Sequence, residues 1–333
     1  MNGITKVLVT GADGFLGSNL IRALLNRGYE PRALIYNGNS AKTLSGLDIE
    51  LVKGDVLSVE TIKQAADSCQ GIIHAAAATE IFPPKSEAVR NVNITGTRNI
   101  ADIAKEQKTK KLVYVGSASS FGPGPKHAPG DETKDYYGSV YNLDYFDSKR
   151  MAQEIVLDET RKGLLPAVVV NPTFMFGPFD VKPGSGEIVI KIHNRSTLPR
   201  TAGGRNCVSV KDVSVGIVNA LEFGRIGESY ILGHENLTYT ELFEKIAAVL
   251  KKRVPKLYLP KFVAKTIGFV NENCHAMIRK KPRANFTFAK IATAEHYYSS
   301  AKAVREINLP QTPIETPIGE AFDWFKINGY LSN

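Results

Sequence analysis

Tyr145 and Lys149 stand four residues apart in the run Tyr145-Phe146-Asp147-Ser148-Lys149, inside a stretch (142–162) whose pattern predicts a helix. That spacing puts both side chains on one helical face. A free phenol titrates near pH 10 and is a poor base at neutrality. A neighbouring ammonium favours the phenolate and lowers that pKa, so the pair can pass a proton to or from a substrate oxygen. By itself Y-x-x-x-K is common by chance, and its weight comes from what accompanies it. A predicted strand over 112–116 runs into Ser117-Ala118-Ser119-Ser120. Ligands of open α/β sheets bind at the carboxyl ends of the strands. Ser117, at the strand edge, is the serine placed to donate a hydrogen bond to the substrate oxygen; Ser119 and Ser120 read as turn residues.

A second motif suits phosphate. A predicted strand over 4–10 runs into Gly11-Ala12-Asp13-Gly14-Phe15-Leu16-Gly17, with glycines at the first, fourth and seventh places. The chain must turn sharply there, approach a pyrophosphate, and pack a helix closely on the sheet. The free N–H groups and dipole of the helix start favour an anion. Position matters as much as composition: this triplet follows a strand and opens a helix, as the mechanism requires.

The elements that carry these motifs alternate. Strands are predicted over 4–10, 33–36, 49–52, 71–76, 112–116 and 167–171, and helices over 14–27, 58–68, 85–106 and 142–162. Several strands are continuous apolar runs, which suits a parallel sheet covered on both faces. The expected fold class is α/β, a Rossmann-type doubly wound parallel sheet with a smaller C-terminal substrate lobe. The division expected is 1–172 for dinucleotide binding and 173–333 mainly for substrate, with segments returning to the main sheet. Beyond Pro172, 176–186 and 201–206 read as loops, and 211–223 and 240–251 as helices.

Together these segments resemble the extended short-chain dehydrogenase/reductases, the NAD-dependent epimerase/dehydratase family, over nearly the whole chain. Further matching segments are His74-Ala75-Ala76-Ala77, Asn91-Val92-Asn93-Ile94-Thr95-Gly96-Thr97, Asn171-Pro172-Thr173 and Val208-Ser209-Val210-Lys211-Asp212-Val213. Within the family the nearest likeness is to dihydroflavonol-4-reductase-like proteins and hopanoid-associated sugar epimerases. It is carried by 171–186, Tyr230-Ile231-Leu232-Gly233 with Asn236-Leu237-Thr238, and Ser299-Ser300-Ala301-Lys302-Ala303.

The resemblance implies a catalytic Ser117, Tyr145 and Lys149. It implies cofactor contacts from Gly11, Asp13, Gly14, Phe15, Leu16, Gly17, Tyr36, Asp55, Val56, Ala75, Ala76, Pro172 and Thr173, with Tyr145 and Lys149 reaching the cofactor as well. Asn93 would brace the active-site end of the sheet, and Asp212 would cap a helix. NAD binding usually shows an acidic residue ending the second strand, to hold the ribose 2′-hydroxyl. Here Leu34-Ile35-Tyr36-Asn37-Gly38-Asn39-Ser40-Ala41-Lys42 has none. Asn37, Asn39, Ser40 and Lys42 suit a 2′-phosphate, so NADP is expected ahead of NAD.

Three functions compete. A reductase or dehydrogenase acting on a ketone or secondary alcohol is favoured. A nucleotide-sugar epimerase would use the same triad, with Arg205 and Arg283 for a diphosphate. A non-catalytic NADP-binding sensor would usually have lost the tyrosine or the lysine, and both are present. A sugar dehydratase would need an acid pair where Ala118 and Ser119 stand. The apolar stretches 257–270 and 286–294 either line an apolar pocket or belong to ordinary core.

Composition sets the outer bounds. Hydrophobic residues are 43% and charged residues 23% of 333, and no apolar run approaches the roughly 20 residues that span a bilayer. No signal-peptide pattern opens the sequence. Cys69, Cys207 and Cys274 form no C-x-x-C pair and no disulfide framework, and no metal site is expected. A cytoplasmic protein with a small-molecule substrate is the expectation, with a homodimer by analogy to the family. The net charge of +9 is spread along the chain, and the cluster Arg279-Lys280-Lys281-Pro282-Arg283 reads as solvated surface. No nucleic-acid-binding module accompanies the charge.

Overall fold

A computed structural model describes residues 3–36, 41–195, 198–264, 266–268 and 286–331. Asn37, Asn39, Ser40, Cys274, the cluster at 279–283 with Arg283, and the stretch 269–285 lie outside the described residues.

Seven parallel strands form the main sheet: β1 (Lys6–Thr10), β2 (Glu30–Ile35), β3 (Glu50–Lys53), β4 (Gly71–His74), β5 (Lys111–Val115), β6 (Ala167–Pro172) and β10 (Ser229–Leu232), in the order β10-β6-β5-β4-β1-β2-β3. This is the doubly wound sheet, with its crevice between β1 and β4, where the strand order reverses. β1, β4, β5 and β6 are almost wholly buried, which is why they read as unbroken apolar runs.

Helix α1 (Phe15–Asn26) lies on one face and buries Leu20, Ile21 and Leu24 completely. Each such burial is worth about 1.5–3 kcal/mol, so packing rather than helix propensity holds it there. α2 (Val59–Ala66) is capped by Ser58, whose hydroxyl accepts from the Thr61 N–H. The predicted helix over 85–106 is α3 (Glu87–Arg90), a π-helical segment (Asn91–Thr95) and α4 (Gly96–Glu106) end to end. α5 (Asp144–Arg161) carries Tyr145 and Lys149. Helix α7 (Val210–Phe223) packs against α1, and β10 closes the sheet beside β6, so the chain beyond Pro172 returns to the first lobe.

A smaller sheet sets β9 (Gly204–Ser209) between β11 (Glu235–Thr238) and β13 (Glu295–His296), with β7 (Phe174–Phe176) also paired to β9. α6 (Glu187–His193) and α8 (Tyr239–Val249) cover a separate apolar core with Phe176, Ile318 and Phe325.

Three expectations are corrected. Residues 201–206 are mostly strand, in β8 (Arg200–Thr201) and β9; their glycines make the close approaches between strands rather than a loop. Asp212 is not the cap of α7. Ser209 is, and the buried Asp212 carboxylate accepts from the N–H and hydroxyl of Thr312 at 2.7 and 2.9 Å. Finally, Leu257, Tyr258, Phe262, Val263 and Ile267 are exposed rather than core, although Ala264 is buried and Leu257 lines a surface cavity.

Candidate active site

The triad comes from two elements that meet at the carboxyl edge of the sheet. Ser117 follows β5. Its Oγ lies 2.8 Å from Ser119 Oγ and stands close enough to the Tyr145 phenol to pull that group's pKa down. Ser119 is a turn residue, as expected, in the short helical turn Ala118–Ser120 that Ser117 caps by accepting from the Ser119 N–H at 3.3 Å. Ser120 is fully buried and its hydroxyl finds no partner among the described residues.

Lys149, one turn beyond Tyr145 on α5, is buried. Its Nζ donates to the Val115 carbonyl at 2.7 Å and lies 4.8 Å from the centre of the Tyr114 ring. Burial pushes the Lys149 pKa down to about 7. Burial also raises the Tyr145 phenol above its ordinary value, with the Ser117 hydroxyl pulling the other way. The expectation that the ammonium lowers the phenol pKa is thus reversed in this structure: the cost of desolvating a phenolate outweighs the favourable terms.

Neighbouring polar groups fix this edge. Asn171 Nδ2 donates to the Ser117 carbonyl (3.0 Å) and to Gln153 Oε1 (2.7 Å). Gly116 makes room for that pair, since a Cβ there would lie 2.5 Å from Asn171 Nδ2. Gln153 was not anticipated, though Tyr145, Lys149 and Gln153 recur every four residues along one face of α5. Asn93, in the π-helical segment, clamps both backbone groups of Ala78 (2.9 and 3.0 Å) and donates to Ser148 Oγ (2.9 Å).

Thr10, His74 and Thr97 form a buried chain beneath the crevice. The Thr97 hydroxyl donates to Asn93 O, so it accepts from His74 Nε2–H, and Nδ1 accepts from Thr10. Burial, aided by Lys149, pushes the His74 pKa down to about 3, so the ring is neutral. Thr10 Oγ1 in turn accepts from the Ala76 N–H at 3.0 Å.

The glycine turn fits a dinucleotide. Gly11 has φ +65°, and a Cβ on it would lie 2.8 Å from Ala76 Cα; a Cβ on Gly17 would lie 2.1 Å from the Gly11 carbonyl oxygen. The turn thus lies directly against Ala75 and Ala76 at the end of β4. Gly14 caps α1 without a side chain, and no acid occupies its first turn, so the N–H groups at Phe15 and Leu16 meet no side-chain acceptor among the described residues. Asp13 contributes its carbonyl to the Thr43 hydroxyl (3.0 Å), which sets exposed Lys42 beside the turn.

Tyr36 and Asp55 follow β2 and β3, on the far side of β1 from the triad. Tyr36 is exposed. Asp55 Oδ1 accepts from the Leu57 N–H (2.9 Å), closing its own turn, and the Val56 side chain packs into the core. Pro172 ends β6, and the Thr173 hydroxyl donates to Asn206 Oδ1 (2.8 Å).

On the second-lobe side, Tyr145 packs against a cluster of Tyr141, Leu143, Phe146 and Ile291, the same cluster that Ala294 joins, so part of the predicted apolar stretch 286–294 is core beside α5. The Tyr141 hydroxyl lies 3.1 Å from His296 Nε2. His296 is opposite Arg205 in the β9–β13 register, and burial with that guanidinium keeps its pKa well below the ordinary value. Arg205 Nε donates to the Tyr239 hydroxyl at 3.0 Å, and no carboxylate pairs with it among the described residues.

The sequence profile of the NAD dependent epimerase/dehydratase family matches residues 7–233, from β1 through β10 to the triad edge of the sheet. The chain belongs to that family. A Synechocystis protein provisionally named a dihydroflavonol 4-reductase is 33% identical over 330 residues, 97% of this chain and 95% of its own. The crystal structure of gox2253 superposes with TM-score 0.87 at 30% identity, covering 98% of this chain and 99% of its own. UDP-glucose 4-epimerase from Thermus thermophilus, solved with NAD, superposes with TM-score 0.78 at 18% identity over 97% and 99%, a likeness of fold. As a member of the epimerase/dehydratase family, the chain is a nicotinamide-dependent enzyme of the extended short-chain dehydrogenase/reductase type.

Proposed function

We propose that the chain reduces a ketone, or oxidises a secondary alcohol, with NADP preferred to NAD. The observation that carries this reading is the meeting of Ser117, after β5, with Tyr145 and Lys149 of α5, where Lys149 Nζ is held on the Val115 carbonyl at 2.7 Å and burial raises the phenol's pKa. A phenol held in its protonated form suits the acid that reduction needs. In that direction Tyr145 Oη gives its proton to the substrate oxygen while Ser117 Oγ donates a hydrogen bond to the same atom. In the oxidative direction Tyr145 takes the proton back. When bound, the nicotinamide supplies or accepts the hydride. Lys149, anchored on Val115, keeps N–H groups beside the phenol and for the cofactor ribose.

The glycine turn, the start of α1, Ala75, Ala76, Pro172 and Thr173 would hold the dinucleotide. Tyr36, Asp55 and Val56 would lie toward its adenosine end. The absence of a carboxylate at Tyr36 and the position of Lys42 support NADP. A boundary near Pro172 would separate the cofactor side from the substrate side.

Arg205 keeps a second reading in view. A partly buried cation with no carboxylate partner among the described residues suits an anionic substrate group, including the diphosphate of a nucleotide sugar. Incubation with NADPH and a panel of ketones separates the two. Reduced cofactor consumed in step with alcohol formed supports the reductase. A UDP-sugar whose configuration inverts with no net cofactor change would replace it with the epimerase.

A further inference from the structure

Residues 251–268 carry six lysines and arginines and no acidic residue. Within them Leu257, Tyr258, Phe262, Val263 and Ile267 are exposed, Phe262 to 80%. Eighteen large apolar side chains are exposed among the described residues, and five of them fall between Leu257 and Ile267. They are concentrated along one short stretch of chain, unlike the scatter of single apolar residues that any surface shows.

The stretch is tied to the second lobe. β12 (Tyr258–Leu259) pairs with β8, and the Arg200 N–H donates to the Leu257 carbonyl at 2.8 Å. Three residues beyond β8, β9 carries Arg205 to the substrate side of the crevice. Beside the stretch a cavity of about 440 Å³ is lined by Ile192, Leu198 and Leu257 together with Arg195, Arg253 and Lys256. None of Arg195, Arg253, Lys256 and Lys261 pairs with a carboxylate among the described residues.

We propose that this face docks on the surface of an anionic lipid bilayer. The apolar side chains would sit at headgroup level, with Tyr258 placed as an amphipathic ring prefers, and the cations against lipid phosphates. Charge decides the occupant. A second copy meeting this face two-fold would bring the same unpaired cations against themselves, in a chain already at +9. No described helix is long and apolar enough to cross a membrane, so the contact is lateral. The proposal is independent of the oxidoreductase reading.

Co-sedimentation of the full chain with vesicles of phosphatidylcholine alone, or with about one-third phosphatidylglycerol, tests it. The anionic vesicles should bind at least about tenfold more tightly, and added salt should weaken them. Phe262→Glu with Ile267→Glu, and separately Lys256→Glu with Lys261→Glu, should each cost about tenfold or more in binding. Melting temperature and cofactor binding should hold in both variants. The second pair changes only exposed lysines, so it remains informative if the first fails to fold. Equal binding to both vesicles, no binding to either, or a dimer that Phe262→Glu dissociates would each overturn the proposal.

Discussion

Lys149 Nζ donates to the carbonyl of Val115, two residues before Ser117, and so ties the helix bearing Tyr145 to the strand end bearing the serine. No carboxylate accompanies that lysine among the described residues, and burial alone brings its pKa to about 7. A buried, uncompensated cation is kept against stability, which is expected of a group held for chemistry.

The cost has a pH signature. In the unfolded chain lysine titrates near pH 10.4. Between about pH 7 and about pH 10 the unfolded state therefore binds more protons, so stability rises with pH across that window. Below it the lysine is charged in both states and the full cost applies. Lys149→Met should stabilise the fold at neutral pH by about 1–4 kcal/mol, flatten the rise, and lose turnover. Denaturant midpoints of both proteins, taken across that window, check this. A less stable variant would contradict it.

Asn171 acts through Ser117. Asn171→Ala leaves the Ser117 carbonyl and Gln153 short of a donor, which should cost about 1–3 kcal/mol of stability. Loss of the serine's support should lower kcat by about tenfold or more while KM and cofactor affinity stay nearly constant. A KM effect without a kcat effect would place the role in binding instead.

Cofactor choice should follow charge at the end of β2. NADPH should bind more tightly than NADH, and Lys42→Ala should narrow the difference by about tenfold. Paired titrations by fluorescence read both numbers. Tighter NADH binding in the wild type would refute the NADP assignment.

Arg205 predicts substrate character. Arg205→Met should raise KM by about tenfold or more for a ketone bearing a carboxylate or phosphate, and little for its neutral analogue. Identical effects on both would remove the anion from the account.

The main sheet was legible because its inner strands are buried on both faces and leave uninterrupted apolar runs. Where polar residues are buried by pairing, the pattern misled. β2 begins at Glu30, before the expected start, because Arg32 is buried against Glu50 and the carbonyls of Ala65 and Asp67. Ser117, Tyr145 and Lys149 could be named from spacing within single elements. Gln153, Tyr141 and His296 could not, since their contacts are made across elements. The π-helical turn that aims Asn93 leaves no mark in the periodicity of 85–106.

The central claim is that Tyr145 exchanges the proton with the substrate oxygen. Turnover and cofactor dissociation constant, measured together on Tyr145→Phe, test it most directly. The account predicts a loss in kcat of about 10²–10⁴-fold with cofactor affinity nearly unchanged. Turnover close to wild type, with the fold and the cofactor site intact, would contradict it.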